Sequence, residues 1–394
     1  MTKQQINTLL SKKKTPIYVF DIPVLLERVR FLRRRLPTEF SLCYAMKANP
    51  FLTRSLSRVV DRIEACSPGE YQICRQSNVP PEQIVLSGVY KSSTELVEMV
   101  TECPDMLFTV ESYSQMLLLN ELAEQLGWKL RVLLRLTSGN QFGLDEGTLK
   151  FIVQQRDLFP NVLIWGIHFF SGTQKRSLRT LKKEVEQLTA LLDTLETEYR
   201  YRARNVEYGP GFPVCYFQAE IDQEDAFLQE CSELLKSLTQ RTHITLELGR
   251  SIAASCGTYL TSVVDTKFNN GQNFAILDGG IHHLVYYGQN MAMKQPKLEL
   301  LTKHLGEPWP WNLCGSLCTT NDILVKQLMV PTLDFGDVIA FEQAGAYSMT
   351  EGLSLFLSRD LPAVVLLRED GRFELVRNHL PTYPFNTSTI GKEL

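Results

Sequence analysis

The sequence predicts an α/β protein, a (β/α)8 barrel joined to a second, mostly β domain. Three observations carry this reading. Between Ser41 and Cys256, eight short apolar or β-branched runs recur with helix-like segments between them, which fits a barrel in count and length. Beyond Thr258 the apolar runs continue without long intervening helices, so the pattern changes from strand-helix to strand-turn. The chain's 394 residues are also too many for one small core and suggest two domains.

In chain order, a polar start is followed by the strand Pro16–Phe20 (P-I-Y-V-F) and a helix over Pro23–Leu36 that places Leu25, Val29, Leu32 and Leu36 on one face. Arg28, Arg33, Arg34 and Arg35 lie largely off that face. They read by default as solvated charge, and as a candidate docking surface for an acidic partner. The eight runs are Tyr44–Lys47, Arg62–Ser67, Ile84–Gly88, Met106–Ser112, Leu130–Thr137, Leu163–Phe170, Asn205–Gly211 and Thr242–Gly249. Helical patterns occupy Thr94–Thr101, Tyr113–Leu126 and Leu178–Tyr199. The later strands are Leu260–Lys267, Phe274–Leu277, Val338–Glu342 and a hairpin over Val364–Arg377 that turns at Asp370-Gly371. The strand near Ile17 can join them from the N-terminus. The expected division is therefore residues 22–256 for the barrel, and 1–21 with 257–394 for the β domain.

Hydrophobic content of 44%, charged content of 22% and a formal charge of -3 are ordinary for a globular protein and give no reason to expect nucleic acid or membrane partners. The N-terminus lacks the apolar core of a signal peptide, and no apolar stretch approaches spanning length. A cytoplasmic protein is the expectation. Nine scattered cysteines fit reduced thiols there. Cys314 and Cys318 have no neighbouring pair or histidine to complete a zinc set, so no metal is expected.

In S-L-C-Y-A-M-K-A-N-P, from Ser41 to Pro50, alternation stops at Asn49-Pro50 and puts Lys47 at a strand's carboxyl end. Lysines at strand ends ordinarily reach out to water. At the carboxyl end of a barrel strand, however, a desolvated amine loses its proton readily and can attack an aldehyde to form a Schiff base. Glu64, Arg135, His168, Ser171, Gly209-Pro210-Gly211 and Glu247-Leu248-Gly249-Arg250 fall at or just beyond strand ends on the same face. Each is weak alone: G-P-G is commonly a plain turn, and a histidine among Ile167, Phe169 and Phe170 is commonly a core residue.

The motif Y-A-M-K-A-N resembles the lysine motif of the fold-type III pyridoxal-phosphate enzymes, the superfamily of alanine racemase and of ornithine and diaminopimelate decarboxylases. The resemblance runs from about Tyr18 to about Pro362. It implies an alanine-racemase-like barrel, pyridoxal 5'-phosphate as cofactor, and Lys47 as its carrier. H-F-F-S-G-T-Q resembles the family's histidine-serine element, with His168 stacking on the ring and Ser171 binding phosphate. E-Y-G-P-G-F-P resembles its glycine-rich G-G-G-F at Gly209 and Gly211, while Pro210 removes one N–H. E-L-G-R-S-I resembles E-P-G-R, which implies Glu247 on the pyridine nitrogen and Gly249 with Arg250 on phosphate. Glu64 and Arg135 fall where the family keeps polar residues near the cofactor.

C-G-S-L-C-T-T-N-D resembles the decarboxylases' cysteine loop and implies catalytic or substrate roles for Cys318 and Asp322; F-E-Q-A-G-A-Y implies Tyr347 as a further phosphate ligand. In that subfamily the loop reaches a neighbouring subunit's site, so the resemblance implies a homodimer with shared sites. The implied reaction is decarboxylation of an amino acid or modified amino acid, with Cys318 returning a proton to Cα. An amino-acid racemase and a non-catalytic cofactor-binding regulator are the alternatives. The diamine-forming relatives carry an acid directly after the cysteine. This chain has Thr319, which cannot neutralise a distal ammonium. Free ornithine, lysine and diaminopimelate are thereby disfavoured. Together with D-G-G-I-H-H (Asp278–His283), the loop is more similar to decarboxylases of carrier-linked glutamyl groups or of siderophore intermediates.

Overall fold

A computed structural model describes residues 1–388; residues 389–394, the end of the sequence-assigned β domain, lie outside the described residues. The chain forms two compact units. One comprises Leu26–Val214 with Gln223–Ile252, and the other Met1–Leu25, Cys215–Asp222 and the chain from Ala253 onward.

The first unit is a closed barrel of eight parallel strands, as the sequence predicts. After β1 (Ile17–Asp21), which belongs to the other unit, come β2 (Ser41–Ala45), β3 (Arg62–Ala65), β4 (Ile84–Leu86), β5 (Leu107–Val110), β6 (Leu130–Leu136), β7 (Val162–Phe170), β8 (Asn205–Gly209) and β9 (His243–Leu248). β2 closes the ring by pairing with β9, Cys43 opposite Glu247 and Tyr44 opposite Leu248. β4, β5 and β8 are buried at every residue. β4 and β5 are almost wholly apolar, as parallel strands covered on both faces require, while β8 buries Asn205 and Glu207 with Arg62 as their partner.

Helices return the chain between strands. Tyr113–Leu126 starts where Ser112 accepts from the Gln115 N–H and stops at Gly127, whose φ of +70° forms a left-handed cap. Leu178–Thr197 buries Leu181, Val185, Leu188, Leu192 and Leu195 on one face, and with them one acid, Glu184.

The second unit is a nine-stranded sheet. It contains β10 (Gly257–Asn269), β11 (Gln272–Leu277), β12 (Leu298–Leu300), β13 (Trp309–Cys314), β14 (Ile323–Val330), β15 (Val338–Phe341), β16 (Ala363–Leu367) and β17 (Phe373–Arg377). β1 runs between β10, antiparallel, and β16, parallel, so the N-terminal strand does join this sheet. β16 and β17 form the expected hairpin, with Gly371 at φ +78° in its turn.

Four elements were not expected. The helix Lys3–Leu10 opens on a capping box in which Thr2 and Gln5 satisfy each other's backbone N–H groups. β12 is only three residues long. Pro310 disguises β13, and it is tolerated because pairing of β13 with β11 begins only at Trp311. β14 breaks its alternation at Gln327, which has a positive φ of 53°.

Candidate active site

Lys47 stands one turn past β2. Met46–Ala48 is a tight helical turn rather than strand. Asn49 accepts the Phe51 N–H at 3.1 Å and ends it. The Lys47 ammonium donates to Glu64 Oε2 at 2.7 Å and lies 3.5 Å from Glu247 Oε1. Glu64 and Glu247 are the next-to-last residues of β3 and β9, both buried, whereas Lys47 keeps 38% of its side chain exposed. His168 of β7, 1% exposed, completes the cluster with Nε2 2.8 Å from Glu247 Oε2. Ligand atoms of Glu64, His168 and Glu247 all lie within 4.8 Å of one another.

Burial opposes charge on Glu247, yet Lys47 and the contact with His168 outweigh it and hold its carboxyl well below the usual range. The barrel thus sets the Lys47 side chain, partly open to solvent, over a buried acid whose ionised form is favoured. His168 Nδ1 is buried without a hydrogen-bond partner, an unmet polar atom in the middle of the site.

Loops after β7, β8 and β9 form a second cluster. Gly211, at φ +64°, has no room for a side chain: a Cβ would come within 2.2 Å of the Gly172 carbonyl oxygen. A Cβ on Gly209 would meet the Phe170 ring at 2.4 Å. Gly249 precedes the short helix Arg250–Ala253, and Arg250 Nε donates to Thr173 Oγ1 at 3.2 Å. Ser171 Oγ donates to the buried Glu184 at 2.5 Å.

Arg135 lies 3.0 Å from Glu111 Oε1 and stacks over Phe142. Glu111 went unnoticed in the sequence, as did Lys91 and Cys66. Cys66 Sγ is 3.6 Å from the Lys47 ammonium, and burial pushes its thiol well up. Lys91 donates to the Gly88 carbonyl and to Gln115, and burial pulls its amine down to about 8. All three follow strand ends, so the positional rule that singles out Lys47 also reaches them.

In the other unit, Cys318 is exposed in the β13–β14 loop. Asp322, in the same loop, is tightly held. It is 3% exposed, with one oxygen accepting the Ile281 N–H and the other the Leu317 N–H, each at 2.8 Å. Gly280 and Gly315 leave space for its carboxylate, which a Cβ on either would approach within 2.6 Å. Asp322 thereby ties the cysteine loop to the Gly280–Ile281 turn. Tyr347 adopts φ +63° in a turn held by Ala344 and Gly345, whose N–H groups donate to the Gly257 and Ala254 carbonyls.

His283 bonds Tyr259 and the Asp360 carbonyl, whereas neither ring nitrogen of buried His282 has a partner. The arginine-rich helix departs from the docking expectation. Arg28 pairs with Glu224, Arg33 with Asp61, Arg34 with Glu27 and Arg35 with Asp225. Its charges are neutralised in place.

A lysine seated on paired acids above a parallel eight-stranded barrel, with a β sheet unit attached, defines the fold-type III class of pyridoxal-phosphate enzymes. The chain belongs to the pyridoxal-dependent decarboxylase family: the family model described as pyridoxal-dependent decarboxylase, C-terminal sheet domain, matches residues 17–345. It is 28% identical to the diaminopimelate decarboxylase of Aquifex aeolicus (strain VF5), over 92% of this chain and 89% of that one. It is 25% identical to the L-glutamyl-[BtrI acyl-carrier protein] decarboxylase of Niallia circulans, over 96% and 94%. Among solved structures, the diaminopimelate decarboxylase of Helicobacter pylori complexed with L-lysine shares the fold at a TM-score of 0.84 and 23% identity, over 96% of this chain and 98% of that one.

The cofactor of the family, pyridoxal phosphate, fits the residues present. The site offers one amine, a buried acid held ionised for a ring nitrogen, an unmet histidine nitrogen, and a glycine cradle with an arginine beside it. Among the described residues no helix is long and apolar enough to cross a membrane.

Proposed function

We propose that this chain removes the α-carboxylate of an amino acid or modified amino acid, with the cofactor carried by Lys47. The observation that carries the reading is the Lys47 ammonium set 2.7 Å from Glu64 and 3.5 Å from Glu247 in a barrel mouth. When bound, pyridoxal phosphate supplies the sink for the electron pair left as CO2 departs.

The chain's own residues do the rest. Glu247, held ionised, would keep a proton on the cofactor's ring nitrogen, and His168 would pack against its ring. Glu64 accepts a proton from Lys47 and so frees the amine as a nucleophile. Arg135, fixed by Glu111, lies on the same polar wall. Gly209, Gly211, Gly249 and Arg250 would hold the phosphate, with Ser171 adding a hydroxyl, and the family resemblance assigns Tyr347 a further one. Cys318 delivers a proton to Cα, and Asp322 and Thr319 shape the loop that presents it.

We read the enzyme as a cytoplasmic homodimer in which Cys318 of the partner subunit completes each barrel's site. Exposed Phe268, Trp309, Met329 and Phe335 on the β unit support an interface there. The name of the Niallia circulans relative and the uncharged Thr319 both favour a substrate whose far end is not a free amine, including one tethered to a carrier protein. The test is CO2 release with cofactor present. Release from an amino-acid panel supports the reading, and racemisation without release overturns it.

A further inference from the structure

Glu184 sits where an acid should not be. It lies on the buried face of the Leu178–Thr197 helix, among Leu181, Val185 and Leu188, at 7% exposure. A carboxylate there is tolerated only when fully partnered. Three donors meet it: Lys175 Nζ, at 2.8 Å from Oε2 and 3.0 Å from Oε1; Tyr208 OH, at 2.5 Å; and Ser171 Oγ, at 2.5 Å. Lys175 is itself buried, with 8% of its side chain exposed.

The pair connects the loops of the glycine cradle. The Lys175 N–H donates to the Gly211 carbonyl at 2.9 Å, which ties the loop after β7 to the loop after β8. Arg250, beyond β9, reaches the same β7 loop through Thr173. Ser171 has one hydroxyl proton, and here it points to Glu184. A serine that donates to phosphate must turn that proton away, and Glu184 remains satisfied by Lys175 and Tyr208 when it does.

We propose that the Lys175–Glu184 ion pair is the positioning device of the phosphate end of the site: it fixes the Ser171–Lys175 loop against Gly211 and supplies the acceptor that holds the Ser171 hydroxyl until phosphate takes its proton. This rests on the cofactor reading above. Neither residue touches the reacting atoms. Their effect is on how well the cradle is preformed, so it falls on the phosphate and not on the ring or aldehyde.

Comparing pyridoxal phosphate with pyridoxal, which lacks the phosphate, isolates that effect. Dissociation constants for both are measured by equilibrium dialysis on the full-length chain as wild type, Glu184→Gln and the double variant Lys175→Met/Glu184→Met. The wild type should prefer pyridoxal phosphate strongly. Glu184→Gln should lose at least tenfold of that preference, with pyridoxal binding changed less than twofold. The double variant removes both buried charges together, so its thermal midpoint should exceed that of Glu184→Gln, yet its preference should stay at least tenfold reduced. If Glu184→Gln fails to fold, the double variant alone decides. An undiminished preference in the folded variants overturns the positioning role, because a merely structural pair would weaken both ligands alike. A wild type with no preference would overturn the cofactor reading, and the role of the pair with it.

Discussion

Lys47 and Glu64 face each other at 2.7 Å across the ends of β2 and β3, and Glu247 shares the same ammonium at 3.5 Å. Borohydride reduction of the loaded protein should therefore fix the cofactor on Lys47, and peptide mapping should find it there. Lys47→Ala should give no adduct and lose activity on the order of a thousandfold or more. A reducible adduct in that variant would place the carrier elsewhere.

The same substitution makes a stability prediction. Without the lysine, buried Glu247 loses the cation that holds its carboxyl down, and its folded-state pKa rises above the unfolded value of about 4.3. The penalty is present in full at neutral pH and relieved as pH falls through the raised value. Because Lys47 is partly exposed, we expect only about 1–3 kcal/mol. Thermal melts of cofactor-free protein should show the variant below wild type at pH 8, with the gap narrowing toward pH 5. A gap independent of pH would mean that Glu247 is not coupled to Lys47.

His282 and His283 give a second pH test. Burial holds their imidazoles down to about 4 and about 3, below the unfolded value of about 6.5. Below that value the unfolded chain binds protons that the folded chain refuses, so stability is full above about pH 6.5 and falls as pH drops toward 4. His282 has no partner on either ring nitrogen. His282→Phe should melt at or above wild type at pH 7, and its advantage should grow by several degrees at pH 5. A constant difference in melting temperature would rule out titration of His282.

These tests fall on residues of unequal visibility in the sequence. The barrel is legible because parallel strands are buried on both faces and keep largely apolar runs, and because Lys47, Glu64, His168 and Glu247 fall just beyond or within two residues of the carboxyl ends of such runs. β13 and β14 are hidden by Pro310 and by the irregularity at Gln327, both tolerated only because of their neighbours. Glu184 reads as one more charge on a charged helix until packing turns it inward. Asp322 matches a motif whose residue types say nothing of burial, and only the structure shows the two N–H groups it accepts. Three of the arginines of the Ile22–Arg35 helix, Arg28, Arg33 and Arg35, find their acids at Glu224, Asp61 and Asp225, pairings that sequence spacing does not show.

Cys318 is exposed, outside the barrel, and distant in sequence from the cofactor residues. Cys318→Ala should retain the cofactor spectrum while decarboxylation falls on the order of a hundredfold. If each site takes its cysteine from the partner subunit, mixing Lys47→Ala with Cys318→Ala gives hybrid dimers with one intact site. Half the dimers being hybrid, activity should recover to about a quarter of wild type. Demonstrated subunit exchange without recovery would refute shared sites.

Thr319 follows Cys318 directly, and its hydroxyl already accepts the Asn321 N–H at 3.4 Å within the loop. It carries no charge to offer a distal ammonium. A substrate bringing such a group would leave it unpaired as the site closes, which commonly costs discrimination of about a hundredfold or more. Free lysine, ornithine and diaminopimelate should therefore fall at least that far below a glutamyl-carrier thioester or another substrate with an uncharged or acidic tail, in kcat/KM for CO2 release. Thr319→Glu supplies the missing anion, so it should raise turnover of the free diamino acids and lower that of an acidic or tethered substrate. Efficient wild-type turnover of a free diamino acid, reduced by Thr319→Glu, would show that the far end of the substrate is recognised elsewhere.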